Sequence, residues 1–266
     1  VRTVVEAVFG CGDSAIVQQY LLPKVGTQLE VRTRVHWNEK DKMLKLSIPV
    51  PTGDNRYIGQ IAYGVQELPS NGDEAVSQKW SAVVSDKRNT ALTCINDGIY
   101  GSDFSEDGLR LTLLRSAGYC AHPIGDRRIL PQDRYMPRID QGERVYRFWL
   151  NGGKVEDRLA KIDREALVAN EKPYALSFFP SGLGEAPKRL ATLSDEVIQM
   201  AAAKLAENGD GLIIRLFEPT GTPRTTTLSL PLCGLQKTIE MGAFEIKTLR
   251  IDTSKNTITE TDLLER

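Results

Sequence analysis

The chain has 266 residues, 41% apolar and 26% charged, enough to bury one large core or two smaller ones. Its formal net charge of −1 gives no electrostatic case for a nucleic-acid or anionic-membrane partner. No signal-peptide pattern and no apolar run of bilayer length is read in the sequence, so no membrane partner is expected. Cys11, Cys94, Cys120 and Cys233 show no CxxC spacing and are expected to be idle thiols rather than a disulfide framework or a zinc knuckle. With no N-x-S/T acceptor, the expected location is cytoplasmic. The chain opens on Val1, already inside a strand-like pattern, and is expected to be a fragment of a longer polypeptide.

Residues 1–9 alternate as a strand, turn at Gly10 to Asp13, and return through residues 15–22. The clearest alternation follows: Leu29, Val31, Thr33, Val35 and Trp37 face one way, Glu30, Arg32, Arg34 and His36 the other. Period two with one charged face indicates a half-buried antiparallel strand, with Trp37 in the core and His36 a surface imidazole. Residues 38–41 are expected to turn the chain so that Leu44, Leu46, Ile48 and Val50 continue on the partner strand. Residues 57–65 read as a strand, then a Pro/Asn/Gly turn region at 68–74, Trp80, and a short strand at 82–84.

Residues 91–116, ALTCINDGIYGSDFSEDGLRLTLLRS, read as two strands holding up a polar loop. The loop carries Asn96, Asp97, Tyr100 and Asp103, groups that hydrogen-bond and stack on a sugar; an ordinary hairpin with a polar tip gives the same pattern. Residues 118–141 form a long Pro-, Arg- and Asp-rich loop, functional or mobile, with its charges paired internally and His122 at the surface. Residues 144–150 alternate with Tyr146, Phe148 and Leu150 inward. Residues 155–170 carry helical spacing, and residues 180–187 read as a crossover. Residues 194–208 allow helix or strand. Residues 212–217 and 225–232 are strands, and a change of apolar face within 244–251 suggests a bulge. Frequent turns with little helical periodicity indicate a mainly β, antiparallel β-sandwich.

NDGIYG, followed by LRLTLLRS and DQGE at 140–143, resembles the C-terminal β-rich region of glycoside hydrolase family 38, the α-mannosidases. Residues 31–51, the Trp80 segment, GLIIRLFEPTG at 211–221 and FEIKTLRID at 244–252 agree in order, and the resemblance favours a strand at 194–208. Two departures stand out: the loop before DQGE is longer than usual, and Arg144 stands where the family usually has His. The resemblance implies a galactose-mutarotase-like supersandwich over residues 1–185 with one helix, and a smaller C-terminal β-sandwich portion over 186–266.

The resemblance also implies a retaining α-mannosidase whose nucleophile, acid/base and zinc ligands lie in an N-terminal catalytic domain absent from this chain. No cofactor or metal is expected in the chain itself. Its partners would be that catalytic domain and a mannose-containing glycan; self-association is compatible with the sequence. The sugar-binding candidates are Asn96, Asp97 and Tyr100 in the loop, and Asp140, Gly142 and Glu143 in the D-x-G turn, where a turn cap before the strand is the competing role. A free-standing carbohydrate-binding domain is the alternative. A mutarotase or epimerase would want a glutamate base and histidine acids, which two scattered histidines do not supply.

Overall fold

The structure, a computed structural model, describes residues 2–118, 137–175 and 189–266. Cys120, His122, most of the Arg- and Asp-rich stretch and the expected crossover at 180–187 lie outside the described residues. The chain divides into two compact units, Val1–Gln60 with Gln66–Arg158, and Ile61–Val65 with Leu159–Arg266.

The strands of the N-terminal portion are β1 (Arg2–Cys11), β2 (Ser14–Pro23), β3 (Leu29–Trp37), β4 (Met43–Ile48), β5 (Arg56–Ile61), β6 (Gly64–Leu68), β7 (Ala75–Val76), β8 (Trp80–Ser85), β9 (Thr90–Asn96), β10 (Gly101–Ser105), β11 (Gly108–Arg115) and β12 (Gly142–Gly153). Eight of them make one sheet in the order β1-β2-β3-β12-β9-β8-β5-β6, and four make a second, β4-β11-β10-β7. The two sheets enclose one core. Val31, Val35, Trp37 and Phe148 from the larger sheet meet Ile48, Leu109 and Leu111 from the smaller. β3 shows why: Val31, Thr33, Val35 and Trp37 are buried while Arg34 and His36 stay exposed. Each apolar side chain so buried contributes about 1.5–3 kcal/mol.

Several strand partners differ from the expectation. β4 does not pair with β3, because both edges of β3 are taken, by β2 and by β12. The chain crosses to the smaller sheet, where Ile48 lies opposite Leu109. Likewise β9 and β11 are not the two arms of a hairpin. β9 lies in the larger sheet between β8 and β12, and the chain then crosses to β10, which makes a hairpin with β11 closed at Glu106 and Asp107. Gly108 holds that hairpin at φ 111°, and a Cβ there would come within 2.6 Å of the Ile48 carbonyl oxygen, so only glycine fits. The expected strand at 57–65 is two, β5 and β6, broken at Tyr63 with φ 54°.

The second unit contains α2 (Ile162–Asn170), β13 (Thr192–Leu193), β14 (Gln199–Leu205), β15 (Leu212–Phe217), β16 (Arg224–Leu230), β17 (Leu235–Met241), β18 (Ile246–Asp252) and β19 (Thr257–Thr261). Sheets β13-β16-β17 and β14-β15-β18-β19 share a core of Ile198, Ile214, Leu216, Leu228, Ile239 and Leu249. Residues 199–205 are therefore a strand. The helix expected over 155–170 is broken at residues 160–161 into α1 (Val155–Leu159) and α2, and the division between units falls just before the break, at Arg158 and Leu159. The bulge expected in 244–251 is absent from β18, whose pairing with β15 is regular. Phe244 lies outside the strand in a turn with φ 53°, and that accounts for the change of face.

Candidate functional site

The crossing from β9 to β10 carries three candidates, and its shape comes from Asn96. The Asn96 side chain is buried; its Nδ2 donates to the Gln78 carbonyl at 2.7 Å, and its Oδ1 accepts from the Ile99 N–H at 3.1 Å. That second bond closes the turn over Asp97 and Gly98, the latter at φ 86°. Asn96 thus presents Asp97 and Tyr100 rather than its own amide. Asp97 is exposed and Tyr100 is 53% exposed, and neither side chain has a hydrogen-bond partner among the described residues.

Asp103 differs from the loop residue the sequence suggested. It is fully buried, accepts from Arg110 Nε at 2.6 Å, and is paired with Lys45, whose Nζ also lies 2.5 Å from Glu74 Oε2. Burial disfavours the charged Lys45, but the hydrogen bonds it donates to Asp103 and Glu74 outweigh it and raise the ammonium above its ordinary range. This cluster ties β10, β11 and β4 together and leaves Asp103 no group to offer a ligand.

The D-x-G turn lies elsewhere. Asp140 (φ 55°) and Gly142 (φ 96°) turn the chain into β12, and Asp140 Oδ2 accepts from the Arg115 N–H at 3.2 Å. Gln141 Nε2 donates to the Glu39 carbonyl at 3.1 Å. Glu143 is exposed, with Arg34 3.9 Å away. Asn96 lies opposite Phe148 on β12, whereas Gly142 lies six residues earlier, opposite Trp37. At the rise of a strand Asn96 is roughly 20 Å from Gly142, and because β9 and β12 are antiparallel the residues that follow Asn96 run toward the Gly142 end.

Other groups were missed in the sequence. Glu218, fully buried at the end of β15, accepts backbone N–H bonds from Thr220 (2.8 Å), Gly221 (2.7 Å), Thr222 (3.2 Å) and Phe244 (3.0 Å). Burial opposes its charge, yet these donors, with the Thr220 hydroxyl, hold its carboxyl below the usual range. An acid directly after an apolar strand and before Pro-Thr-Gly was the available signal. A cleft of about 450 Å³ opens beside Val50, Pro51, Ser70 and Phe104, and none of the six candidates lines it. Among the described residues no group of three or more His, Cys, Asp or Glu side chains is placed to hold a metal ion. Burial pushes the Cys94 thiol up to about 12, so it is unreactive near neutral pH.

Residues 1–128 match the model of the "Glycosyl hydrolases family 38 C-terminal domain". Over those residues, just under half of its length, the chain resembles a family 38 C-terminal domain. It is 23% identical to Alpha-mannosidase G of Dictyostelium discoideum over 273 residues, covering 90% of this chain and 24% of that protein. A family 38 protein from Enterococcus faecalis superimposes with a TM-score of 0.72 at 22% identity, covering 89% of this chain and 30% of the other. An α-mannosidase from Enterococcus faecalis V583 gives 0.71 at 20% identity, covering 89% and 29%. At these identities the two structures establish the shared β-sandwich fold. The chain spans only 24–30% of the length of those relatives.

Proposed function

We propose that this chain is the accessory C-terminal region of a retaining α-mannosidase, supporting a catalytic domain on other polypeptide and offering loops to a mannose-containing glycan. The carrying observation is that residues 1–128 match a C-terminal domain while the chain spans only 24% of an α-mannosidase. Retaining hydrolysis needs two carboxyl groups about 5 Å apart, one as nucleophile and one as acid/base. Among the buried carboxylates, Glu30, Asp103 and Glu218 are instead committed to Arg32 and Arg147, to Lys45 and Arg110, and to backbone N–H groups. On the glycan side, Asp97 accepts sugar hydroxyls and Tyr100 stacks on a pyranose face, orienting the substrate rather than cleaving it. The free thiols Cys11, Cys94 and Cys233 suit a reducing, cytoplasmic compartment.

The reading is tested in an α-mannosidase of the family from which the equivalent segment has been deleted. The truncated enzyme should lose most of its activity or its solubility. Full activity and unchanged thermal stability after the deletion would overturn the accessory role.

A further inference from the structure

The feature of this fold most in need of an explanation is the β1–β2 hairpin. β1 is the edge strand of the eight-stranded sheet, and nearly every residue along it is exposed. The pairing shows what its two faces are. Phe9 lies opposite Ile16, which lies opposite Val35; Val5 lies opposite Tyr20, which lies opposite Val31. Val31 and Val35 are core residues, and Ile16 and Tyr20 pack partly against them. The row Thr3, Val5, Ala7, Phe9 therefore continues the core-facing surface outward. The four strands of the smaller sheet do not extend far enough to cover it. Val5 is 53% exposed and Phe9 47%, with Leu22 of β2 beside them at 47%. No charged side chain stands in that row; Arg2 and Glu6 are on the opposite face. An apolar, uncharged row on a ten-residue edge strand is what isolated sheets avoid, since it invites pairing and aggregation.

We propose that this uncharged face of β1 and β2 is the docking surface for the remaining polypeptide of the same α-mannosidase, an assignment that rests on the accessory reading above. The occupant is argued from length. In the relatives the matched part is only 24–30% of the protein, so most of their polypeptide lies outside it and is available as a second layer. The surface offered is continuous with an existing core, so an apolar segment laid on it extends that core rather than starting a new one. The unpaired backbone edge of β1 adds hydrogen-bonding groups in register.

The test is amide hydrogen exchange over residues 2–23, read in the 266-residue chain alone and in the complete gene product. The β1 amides should exchange freely in the chain alone and at least about tenfold more slowly in the complete product. Val5→Lys should leave the melting midpoint of the chain unchanged, because the site is already half exposed, and should abolish the protection gained in the complete product. Equal exchange in both, or protection gained only elsewhere, overturns the assignment of this face and leaves the accessory reading standing. Protection in the chain alone, accompanied by a dimer in light scattering, makes a second copy the occupant and also overturns it. A gene product with no further polypeptide removes the accessory reading itself.

Discussion

Replacing Asp103 by Asn removes a negative charge from a position with no measurable exposure while keeping the shape of the side chain. Stripping one partner from a fully buried ion pair costs about 3–5 kcal/mol, because the other charge stays desolvated. Here the cations are less confined: the Lys45 side chain is 23% exposed and that of Arg110 33%, and Lys45 keeps Glu74. The expected loss is accordingly about 2–3 kcal/mol. With a urea slope of about 2–3 kcal/mol per molar, the unfolding midpoint should fall by about 1 M with the slope unchanged. Glu74→Gln is the control, since Glu74 is 41% exposed and its pair should contribute under about 1 kcal/mol. A midpoint shift for Asp103→Asn no larger than that of the control would refute the view that the cluster holds β4, β10 and β11 together. Equal losses for both would place the stabilisation on Lys45 alone.

Further expectations follow from the same geometry. Glu218→Gln should destabilise the second unit by about 3 kcal/mol near neutral pH, because several N–H groups lose a charged acceptor. The Glu218 carboxyl is held below its ordinary value of 4.5 in the folded chain. Its contribution is therefore complete above that value and is lost as pH falls through the lowered folded pKa, and the Gln variant should show a flatter acid limb of stability against pH. Gly108→Ala should destabilise by about 2–3 kcal/mol, from the left-handed φ and the contact with the Ile48 carbonyl, as read by thermal melting. Tyr100→Ala should leave the melting midpoint unchanged and lower kcat/KM of the complete enzyme on a mannoside about tenfold; an unchanged kcat/KM would remove Tyr100 from the sugar-binding groups.

The local structure of this chain was easier to read than its connections. Alternation in β3 placed Val31, Val35 and Trp37 inside correctly, because period two reports which face of a strand is buried. The same pattern is silent on which strand lies alongside. Hence β4 was expected beside β3 and β9 beside β11, although the partners are set by which edges remain open after β2 and β12 have paired. The helix break between α1 and α2 was hidden for a similar reason: helical spacing persists across a boundary between units. At the candidate site, residue type suggested polar groups without showing which were already committed. Asn96 and Asp103 look alike in sequence as loop acceptors, yet one closes a turn and the other neutralises Lys45 and Arg110. Of the six candidates, Asp97, Tyr100 and Glu143 are the ones whose side chains are exposed.

The proposed accessory role requires that the bond-breaking chemistry reside on other polypeptide. Hydrolysis of an aryl α-mannoside by the purified 266-residue chain, followed with and without added zinc, measures this directly. No release above the uncatalysed rate is expected in either condition. Saturable release that copurifies with the chain would contradict it, placing catalytic carboxylates within these residues.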